Sequence, residues 1–574
     1  MPLPTARRLV APFLALTLAL VPPAAAQSGV AAGWPLRDSA RVTPAARGMV
    51  VSGSPLASQV GRDIIQRGGN AVDAAVAVGF ALAVVHPEAG NIGGGGFMMI
   101  RLADGRAFAL DYRETAPARA TRNMYIGPDG NPTDRSWTGH LAVGVPGAVA
   151  GLAAAHRRFG VLPWRDVVEP AVRLAADGFL VDEYRTRSIG SDSSRLSRFP
   201  ASAAQFLPGG RPPQPGTTWS QPDLARTLGA IRDSGAAGFY RGPVADLIVA
   251  EMRRGGGIIS KRDLARYRAI WREPLRLSYR GHRIYSMPPA SSGGLTLALI
   301  LNIMEGWDSL PAFGTPALLH REAEAMRRAF VERNSSLGDP AFVRNPVSRM
   351  TSKAHAARRR AEIDLARATP TPRVKVSLKD GPSTTHYSVV DPAGNAVSTT
   401  TTLNNSYGSA VTVTGGGFLL NDEMDDFTTA PGKPNNYGLV QGAANAIVPG
   451  KRMLSAMTPS IVLDRNGELL LVVGTPGGPT IITQVYHVIS NIIDHGMDLP
   501  QALAMPRLHH QSLPDQIMLE RDGFSAEAIA ALEAMGHKVA FRGPMGDVEA
   551  IIRTPAGWLG ASDPRRGGGG AGVP

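Results

Sequence analysis

The 574-residue sequence contains no cysteine. It can therefore form no disulfide, no thiolate nucleophile and no cysteine-ligated metal site. Charged residues make up only 19% of the chain and hydrophobic residues 44%, a balance typical of a globular protein and not of a disordered or membrane-spanning one. Stability must come from a hydrophobic core, which a chain of this length can supply.

Patterns typical of nucleic-acid binding are also missing, although the chain is basic. Lysine and arginine exceed aspartate and glutamate by 60 to 47, giving a net charge of +13. These basic residues are scattered, and no zinc-finger, helix-turn-helix or RNA-binding motif accompanies them. We interpret the charge as a solvated surface and expect no nucleic-acid partner.

Residues 1–26 have the pattern of a secretory signal peptide. Arg7 and Arg8 precede an apolar stretch at 9–21, and Ala24 and Ala26 give a small-residue cleavage site before Gln27. The apolar stretch is short for a membrane span, and no second one of that length follows. We expect an exported protein, periplasmic or secreted, with no stable membrane anchor.

Helices and strands alternate along the mature chain in a layered α/β order. Helices are predicted at about 71–85, 147–159, 318–335, 481–495 and 526–535, and strands at 97–102, 386–391, 396–403, 417–420, 460–463 and 469–474. Between them, residues 353–379 indicate a basic helix followed by an exposed linker. The glycine-rich tail at 565–574 is expected to be disordered.

A tight hairpin is predicted where the sequence reads DPAGN, at residues 391–395. Gly394 suits the left-handed position of a three-residue loop, which would pair Asp391 with Asn395. Counting back along the ladder places Thr384 opposite Thr402, with their Cβ atoms about 5 Å apart. The two hydroxyl groups would then lie within hydrogen-bonding reach.

This threonine pair has two interpretations. Threonine is a good strand former, so the pair can be an ordinary part of a sheet. A threonine hydroxyl becomes a nucleophile when a base stands beside it, and an N-terminal threonine carries such a base in its own α-amine. The second interpretation requires the chain to be cut before Thr384.

Motifs along almost the whole mature chain decide between these two interpretations of the threonine pair. The sequence resembles the γ-glutamyltransferase (glutathione hydrolase) family of N-terminal-nucleophile hydrolases in PEAGNIGGGGFM (87–98), DYRETAP (111–117), GVPG (144–147), TTHYSVVD (384–391), NDEMDDF (421–427), KRMLSAMTPS (451–460), GTPGG (474–478), PRLHHQ (506–511) and GASDPR (560–565). The resemblance implies an α/β (α+β) fold, namely a four-layer αββα sandwich.

The resemblance also implies a precursor that cleaves its own Ser383–Thr384 bond. The products would be a large subunit of residues 27–383 and a small catalytic subunit of residues 384–574, which begins with the nucleophile. The two subunits would form one interwoven domain, a heterodimer made from a single chain.

Site residues follow from the same resemblance. Thr384 would be the nucleophile and Thr402 its hydroxyl partner, while the backbone N–H groups of Gly477 and Gly478 would form the oxyanion hole. Arg113 would bind the donor's α-carboxylate, since a planar guanidinium suits a carboxylate. The remaining substrate contacts implied are Asn404, Glu423 and Asp426 at the α-ammonium, Ser455 near the carboxylate and Tyr437 on a lid loop at 431–450; Asp425 is interpreted as structural.

One position departs from the family pattern. The family has two serines in LSSM, whereas this chain reads LSAM, with Ala456 after Ser455. Losing a hydrogen bond to a charged group costs about 1.5–3 kcal/mol when nothing replaces it. Donor affinity and donor identity are therefore open, while the chemistry is not affected.

Other polar motifs are interpreted as structural. The glycine run at 93–96 lacks the Lys-Ser/Thr of a phosphate loop. His386, His509 and His510 have no metal-ligand spacing. We expect no metal and no organic cofactor.

The sequence thus predicts a γ-glutamyltransferase and glutathione hydrolase. Thr384 would attack the γ-glutamyl amide of glutathione or a related compound, and water or an amino-acid or dipeptide acceptor would release the acyl group. Two alternatives stay open: a glutaryl- or cephalosporin-type acylase of the same family, and an uncleaved exported binding protein with this fold.

Overall fold

The computed structural model describes residues 29–370 and 384–574. The signal-peptide prediction, Ser383 and most of the predicted linker after residue 370 lie outside the described residues. Two seven-stranded sheets stand at the centre of the molecule.

Sheet A, which carries Thr384, is antiparallel. Its strands run in the order Gly569–Val573, Gly48–Ser52, Thr384–Val390, Ala396–Thr402, Gly95–Arg101, Ala107–Asp111 and Ile270–Arg272. Sheet B has the order Arg41–Ala45, Gly557–Ser562, Glu549–Thr554, Leu469–Val473, Ser460–Leu463, His282–Ser286 and Leu275–Tyr279. Two smaller sheets contain Leu508–His509, Ile517–Glu520 and Val539–Arg542, and Phe179–Leu180 with Thr218–Trp219.

Side chains alternate between layers along the central strands. Val50 joins a core that also contains the helix Ala71–Val85, whereas its neighbours Met49 and Val51 pack against residues of sheet B such as Ile461. In sheet B, Val462 faces a third core, which includes the helix Gly293–Glu305. Three cores separating four layers confirm the predicted αββα sandwich.

Helices cover the outer face of each sheet. Outside or beside sheet A are Pro55–Gln66, Ala71–Val85, Ala148–Phe159, Trp164–Asp177, Glu183–Ser191, Pro200–Phe206, Pro222–Ser234, Gly242–Gly255 and Lys261–Arg266. Outside or beside sheet B are Gly293–Glu305, Pro316–Ser336, Lys353–Ala361, Thr480–Ile493, Leu499–Ala504 and Ala526–Ala534. The helices predicted from the sequence are all present, within a few residues of their expected ends.

The predicted disorder of the tail is wrong. Gly569–Val573 pairs with Gly48–Ser52 at the edge of sheet A, because a β-ladder uses only backbone groups and glycine supplies them. Arg565 is held by ion pairs to Glu520 and Asp563, at 2.6 and 3.0 Å. The tail is therefore part of the folded domain.

The strand predicted at 417–420 is also wrong. Gly417 adopts φ 71° in a turn, and the segment forms only an isolated bridge, from Leu419 to Thr412. A left-handed residue at its start breaks the extended backbone that a strand needs.

Candidate active site

The hairpin predicted around Gly394 has the expected register. Thr384 pairs with Thr402 at the open end of the ladder, Asp391 N–H donates to the Asn395 carbonyl over 3.0 Å, and Gly394 has φ 89°. Even-numbered side chains of the first strand face sheet B, as Val390 does. Thr384 therefore points into the space between the sheets, at the end of its strand.

Thr384 and Thr402 are in direct contact through their hydroxyl groups. The two Oγ1 atoms are 3.1 Å apart, and both residues are buried. Thr402 Oγ1 also accepts the backbone N–H of Asn404 over 2.8 Å. Asn404 has φ 80°, a left-handed backbone that asparagine tolerates better than most residues. The Thr402 hydroxyl therefore both contacts Thr384 and holds the turn at Asn404.

A buried ionic cluster lies beside this threonine pair. Arg113 pairs through Nη1 with Glu423 and through Nη2 with Asp426, and its Nε donates to the Met453 carbonyl over 3.3 Å. Burial raises the pKa of Glu423 and of Asp426 more than Arg113 lowers either one. The three charged side chains assigned to the donor's head group are thus together, with one guanidinium set between two carboxyl groups.

Glu114 is a fourth member of the cluster that the sequence analysis did not single out. Its Oε2 lies 3.7 Å from Arg113 Nη1, and burial raises its pKa to about 8. For Arg113 itself burial acts to lower the pKa, but Glu423 and Asp426 outweigh that effect and raise it. The guanidinium stays charged, while the carboxylates compete for protons.

Arg333 is a second arginine in the same pocket, and sequence reasoning missed it. It lies in the last turn of the helix Pro316–Ser336, is 1% exposed, and lines the cavity together with Arg113 and Thr384. Burial lowers its pKa to about 10, so it remains protonated at neutral pH. No local motif marks this position, because the helix is rich in arginine along its whole length.

The glycine loop borders the cavity from sheet B. Gly477 and Gly478 have φ 133° and 57° and immediately precede the helix Thr480–Ile493. A Cβ atom on Gly478 would lie 2.8 Å from Cε1 of Tyr437, and one on Gly477 would lie 2.6 Å from Thr480 Oγ1. Both positions therefore require glycine. Gly478 lines the cavity, and Gly477 lies next to it.

Ser455 and Ala456 form a wall of the same cavity, and Ser292 bridges Arg333 to the Ser455 carbonyl. Ser455 Oγ accepts the Met457 N–H over 3.1 Å, and Ser455 N–H donates to the Ala290 carbonyl over 3.1 Å. Ala456 also lines the cavity and carries no hydroxyl group. This wall therefore presents one serine where the family pattern has two.

The segment 431–450 covers the site. Tyr437 O–H donates to the Asn404 carbonyl over 2.9 Å, and Asp425 accepts the Asn436 N–H over 2.9 Å and the Ser136 hydroxyl over 2.6 Å. Asp425 thus anchors the cover, in agreement with its structural interpretation. The cavity left beneath measures about 20 Å³, room for roughly one water molecule, so a donor requires this segment or the ionic cluster to move.

The histidines of the sequence motifs lie away from the cavity. His386 is buried between Thr400 Oγ1 at 2.8 Å and Ser388 Oγ at 3.1 Å, and burial lowers its pKa to about 3. His509 contacts Thr483 Oγ1 over 3.0 Å. These contacts agree with structural roles for neutral histidines.

Comparison with known proteins agrees with this geometry. A family model described as gamma-glutamyltranspeptidase matches residues 57–573. The glutathione hydrolase proenzyme of Escherichia coli (strain K12) is 47% identical over 528 residues, covering 91% of each chain. The Acylase ACY 1 proenzyme of Pseudomonas sp. (strain SE83) is 41% identical and covers 89% of this chain and 91% of its own. Among solved structures, the cephalosporin acylase from Bacillus halodurans has a TM-score of 0.82 at 30% identity, covering 92% of this chain and 96% of its own.

Proposed function

This chain belongs to the gamma-glutamyltranspeptidase family, and from that premise we propose that Thr384 is the nucleophile of a γ-glutamyltransferase and glutathione hydrolase. One observation carries the assignment. The Thr384 hydroxyl lies 3.1 Å from that of Thr402, in a cavity that also contains Arg113 and Glu423. A threonine hydroxyl, a guanidinium and carboxylates are the groups that a γ-glutamyl amide requires.

The nucleophile needs a base, and an N-terminal α-amine on Thr384 would supply it. We therefore propose cleavage of the Ser383–Thr384 bond, giving subunits of residues 27–383 and 384–574 that stay together as a heterodimer. In sheet A the strand that begins at Thr384 lies between Gly48–Ser52 and Ala396–Thr402. Because the strands of both subunits share one sheet, cleavage would leave the pieces interwoven.

The donor would enter by exchanging ion pairs. Its α-carboxylate would take the place of a carboxylate on Arg113, and its α-ammonium would pair with the released Glu423 and Asp426 and with Asn404. The zwitterionic head is neutral overall, so the pocket's net charge does not change. Ser455 would contact the carboxylate, and Tyr437 would close over the bound donor.

The chemistry then proceeds in two steps. The α-amine of Thr384 takes the proton of its own hydroxyl, Oγ1 attacks the γ-carbonyl carbon, and the amine returns the proton to the leaving nitrogen. The N–H groups of Gly477 and Gly478 would hold the oxyanion of each tetrahedral intermediate. Water, or the amine of an amino acid or dipeptide, attacks the resulting ester and regenerates Thr384.

The signal-peptide pattern supports export to the periplasm or the medium. No helix within residues 29–370 and 384–574 has both the length and the apolar character needed to cross a bilayer. Removal of residues 1–26 would leave Gln27 as the first residue of the large subunit.

A denaturing gel of the purified protein tests the proposal. Cleavage before Thr384 predicts two bands near 38 and 20 kDa, calculated from the average residue mass of the 60.4 kDa chain, with Thr384 as the N-terminal residue of the smaller one. Thr384→Ala should stay uncut and inactive, whereas Thr384→Ser should mature, since it keeps a hydroxyl. An alanine variant that matures and turns over γ-glutamyl amides would refute the assignment.

A second candidate, an acylase for glutaryl or cephalosporin side chains, is favoured by Ala456 and by the acylases among the similar proteins. Glutaryl groups carry no α-ammonium and have no use for Glu423 and Asp426, both of which lie at the cavity. We therefore rank it second. Comparing p-nitroaniline release from γ-glutamyl and glutaryl p-nitroanilides decides the order.

A further inference from the structure

Arg333 presents a positive charge to the donor pocket that the proposed mechanism does not use. Its Nε donates to Ser292 Oγ over 3.0 Å, and its Nη1 donates to Asn334 Oδ1 over 2.8 Å and to Gln441 Oε1 over 3.2 Å. All of these acceptors are neutral oxygens. In the described ranges, 29–370 and 384–574, no carboxylate lies within ion-pair distance of Arg333.

Arg113, unlike Arg333, is paired with carboxylates. Its two terminal nitrogens are taken by Glu423 and Asp426, so an incoming carboxylate must displace one of them. Nη2 of Arg333 makes no hydrogen bond to any residue that the structure describes, and Arg333 lines the same cavity. Asp426 is near enough to oppose the effect of burial on the pKa of Arg333, but it makes no ion pair with it. A buried cation with no carboxylate in direct contact favours an anion beside it, because its charge is poorly screened.

Ala456 gives a second reason to expect an anion at Arg333. It lines the same cavity as Arg333, and a methyl group stands where the family pattern has a hydroxyl. The remaining serine, Ser455, already accepts the Met457 N–H. The nearby Ser292 donates its hydroxyl hydrogen to the Ser455 carbonyl over 2.5 Å. Arg333 is therefore the strongest donor left on this wall.

We propose that Arg333 is a specificity-determining residue that hydrogen-bonds the α-carboxylate of the γ-glutamyl donor, beside Arg113 and in place of the hydroxyl missing at position 456. The inference rests on the proposed function. It predicts selectivity for donors that carry an anion at the α-carbon, with or without the ammonium group.

Three p-nitroanilides separate the charges of the donor head. The γ-glutamyl compound carries both carboxylate and ammonium, the glutaryl compound only the carboxylate, and the 4-aminobutyryl compound only the ammonium. Arg333→Met should lower kcat/KM for the γ-glutamyl and glutaryl compounds by about tenfold or more, the cost of one hydrogen bond to a charged group. The rate with the 4-aminobutyryl compound should change less than threefold, and Arg333→Lys should fall between wild type and Arg333→Met.

A purely structural role gives a different pattern. If Arg333 only holds the cover through Gln441, Arg333→Met should lower all three rates by the same factor, and that result would overturn the inference. Arg328→Met is the matched control, since Arg328 is also buried on this helix but pairs with Glu324 and does not line the cavity. It should leave the ratio of γ-glutamyl to 4-aminobutyryl turnover unchanged.

Restoring the missing hydroxyl at position 456 tests independently whether Arg333 compensates for it. Ala456→Ser in the Arg333→Met background should recover part of the γ-glutamyl rate and none of the 4-aminobutyryl rate; absence of any recovery would contradict the compensation. A wild-type enzyme that is inactive on γ-glutamyl p-nitroanilide would refute the proposed function itself. An active wild type with an unchanged ratio in Arg333→Met would refute only the inference.

Discussion

Replacing Thr402 by valine probes the hydroxyl pair on which the site assignment depends. Valine keeps the β-branched shape of threonine and removes only Oγ1. The 3.1 Å contact to Thr384 Oγ1 and the 2.8 Å bond from the Asn404 N–H disappear with it. The first affects the nucleophile and the second affects the turn.

The two losses have different magnitudes. A neutral hydrogen bond contributes about 0.5–1.5 kcal/mol, so an unanchored Thr384 hydroxyl should lower kcat by roughly two- to tenfold. The buried Asn404 N–H loses its acceptor, which costs about 1–3 kcal/mol of folding free energy. Thr402→Val should therefore be both slower and less stable than wild type.

Thr401→Val is the matched control on the same strand. Its hydroxyl donates to the Gly95 carbonyl over 2.9 Å and accepts Asn91 Nδ2 over 3.3 Å. Since adjacent strand residues face opposite ways, Thr401 points away from the cavity. This variant should lose comparable stability and keep the wild-type kcat.

The assay is p-nitroaniline release from γ-glutamyl p-nitroanilide, normalised to the amount of small subunit on a denaturing gel, with denaturant unfolding run in parallel. Normalisation separates slow maturation from slow turnover. If Thr402→Val keeps its full kcat while its stability falls as in Thr401→Val, the hydroxyl pair has no part in the chemistry. If both variants lose kcat equally, the effect belongs to the strand and not to the pair.

Three further predictions concern the cover, a buried acid and the C-terminal strand. Tyr437→Phe removes the 2.9 Å bond to the Asn404 carbonyl and should lower kcat/KM about two- to tenfold, because the cover then closes less firmly over the donor. An unchanged kcat/KM would show that this bond does not hold the cover. Burial raises the pKa of Glu322 to about 8, so the folded protein keeps a proton that the unfolded chain releases near pH 4.5. The free energy of unfolding therefore falls as the pH rises from 4.5 to 8, and it stays low above pH 8. Glu322→Gln should therefore be more stable than wild type by on the order of a few kcal/mol at pH 8.5, and melting temperatures at pH 5 and 8.5 that differ equally for both proteins would contradict this. Deleting Gly569–Val573 should lower stability by about 3 kcal/mol or more, because a five-residue ladder and its burial are lost; an unchanged melting temperature would show that this edge contributes nothing.

Local chemistry explains what the sequence could predict. The helix Ala71–Val85 has its predicted ends, because Asn70 and Asp73 form a capping box and Pro87 follows soon after its last turn. The register of the Thr384 hairpin follows from the loop geometry around Gly394 and the two-residue period of a strand. Both depend on neighbours a few residues apart, which a sequence displays directly.

What the sequence could not show depends on distant partners. The glycines of the tail resemble a disordered segment, yet they form a strand because they fit a crowded edge: a Cβ on Gly570 would lie 3.0 Å from Thr43 Oγ1. Arg333 is more than 50 residues from Thr384 along the chain and reaches the cavity only because its helix packs outside sheet B. Neither contact has a local signal.

The charges of the pocket connect the fold to donor choice. Arg113 and Arg333 supply two positive charges against the carboxylates of Glu114, Glu423 and Asp426. Burial raises the pKa of all three acids, so one retained proton brings these five side chains to neutrality. A zwitterionic γ-glutamyl head exchanges partners without altering that balance. A glutaryl head adds one uncompensated negative charge, which a further proton must neutralise in a buried cavity. Discrimination between the two donors thus follows from the number of buried charges. Arg333 is the one cation of this group that makes no ion pair in the described chain, and its removal should weaken binding of the α-carboxylate of either donor.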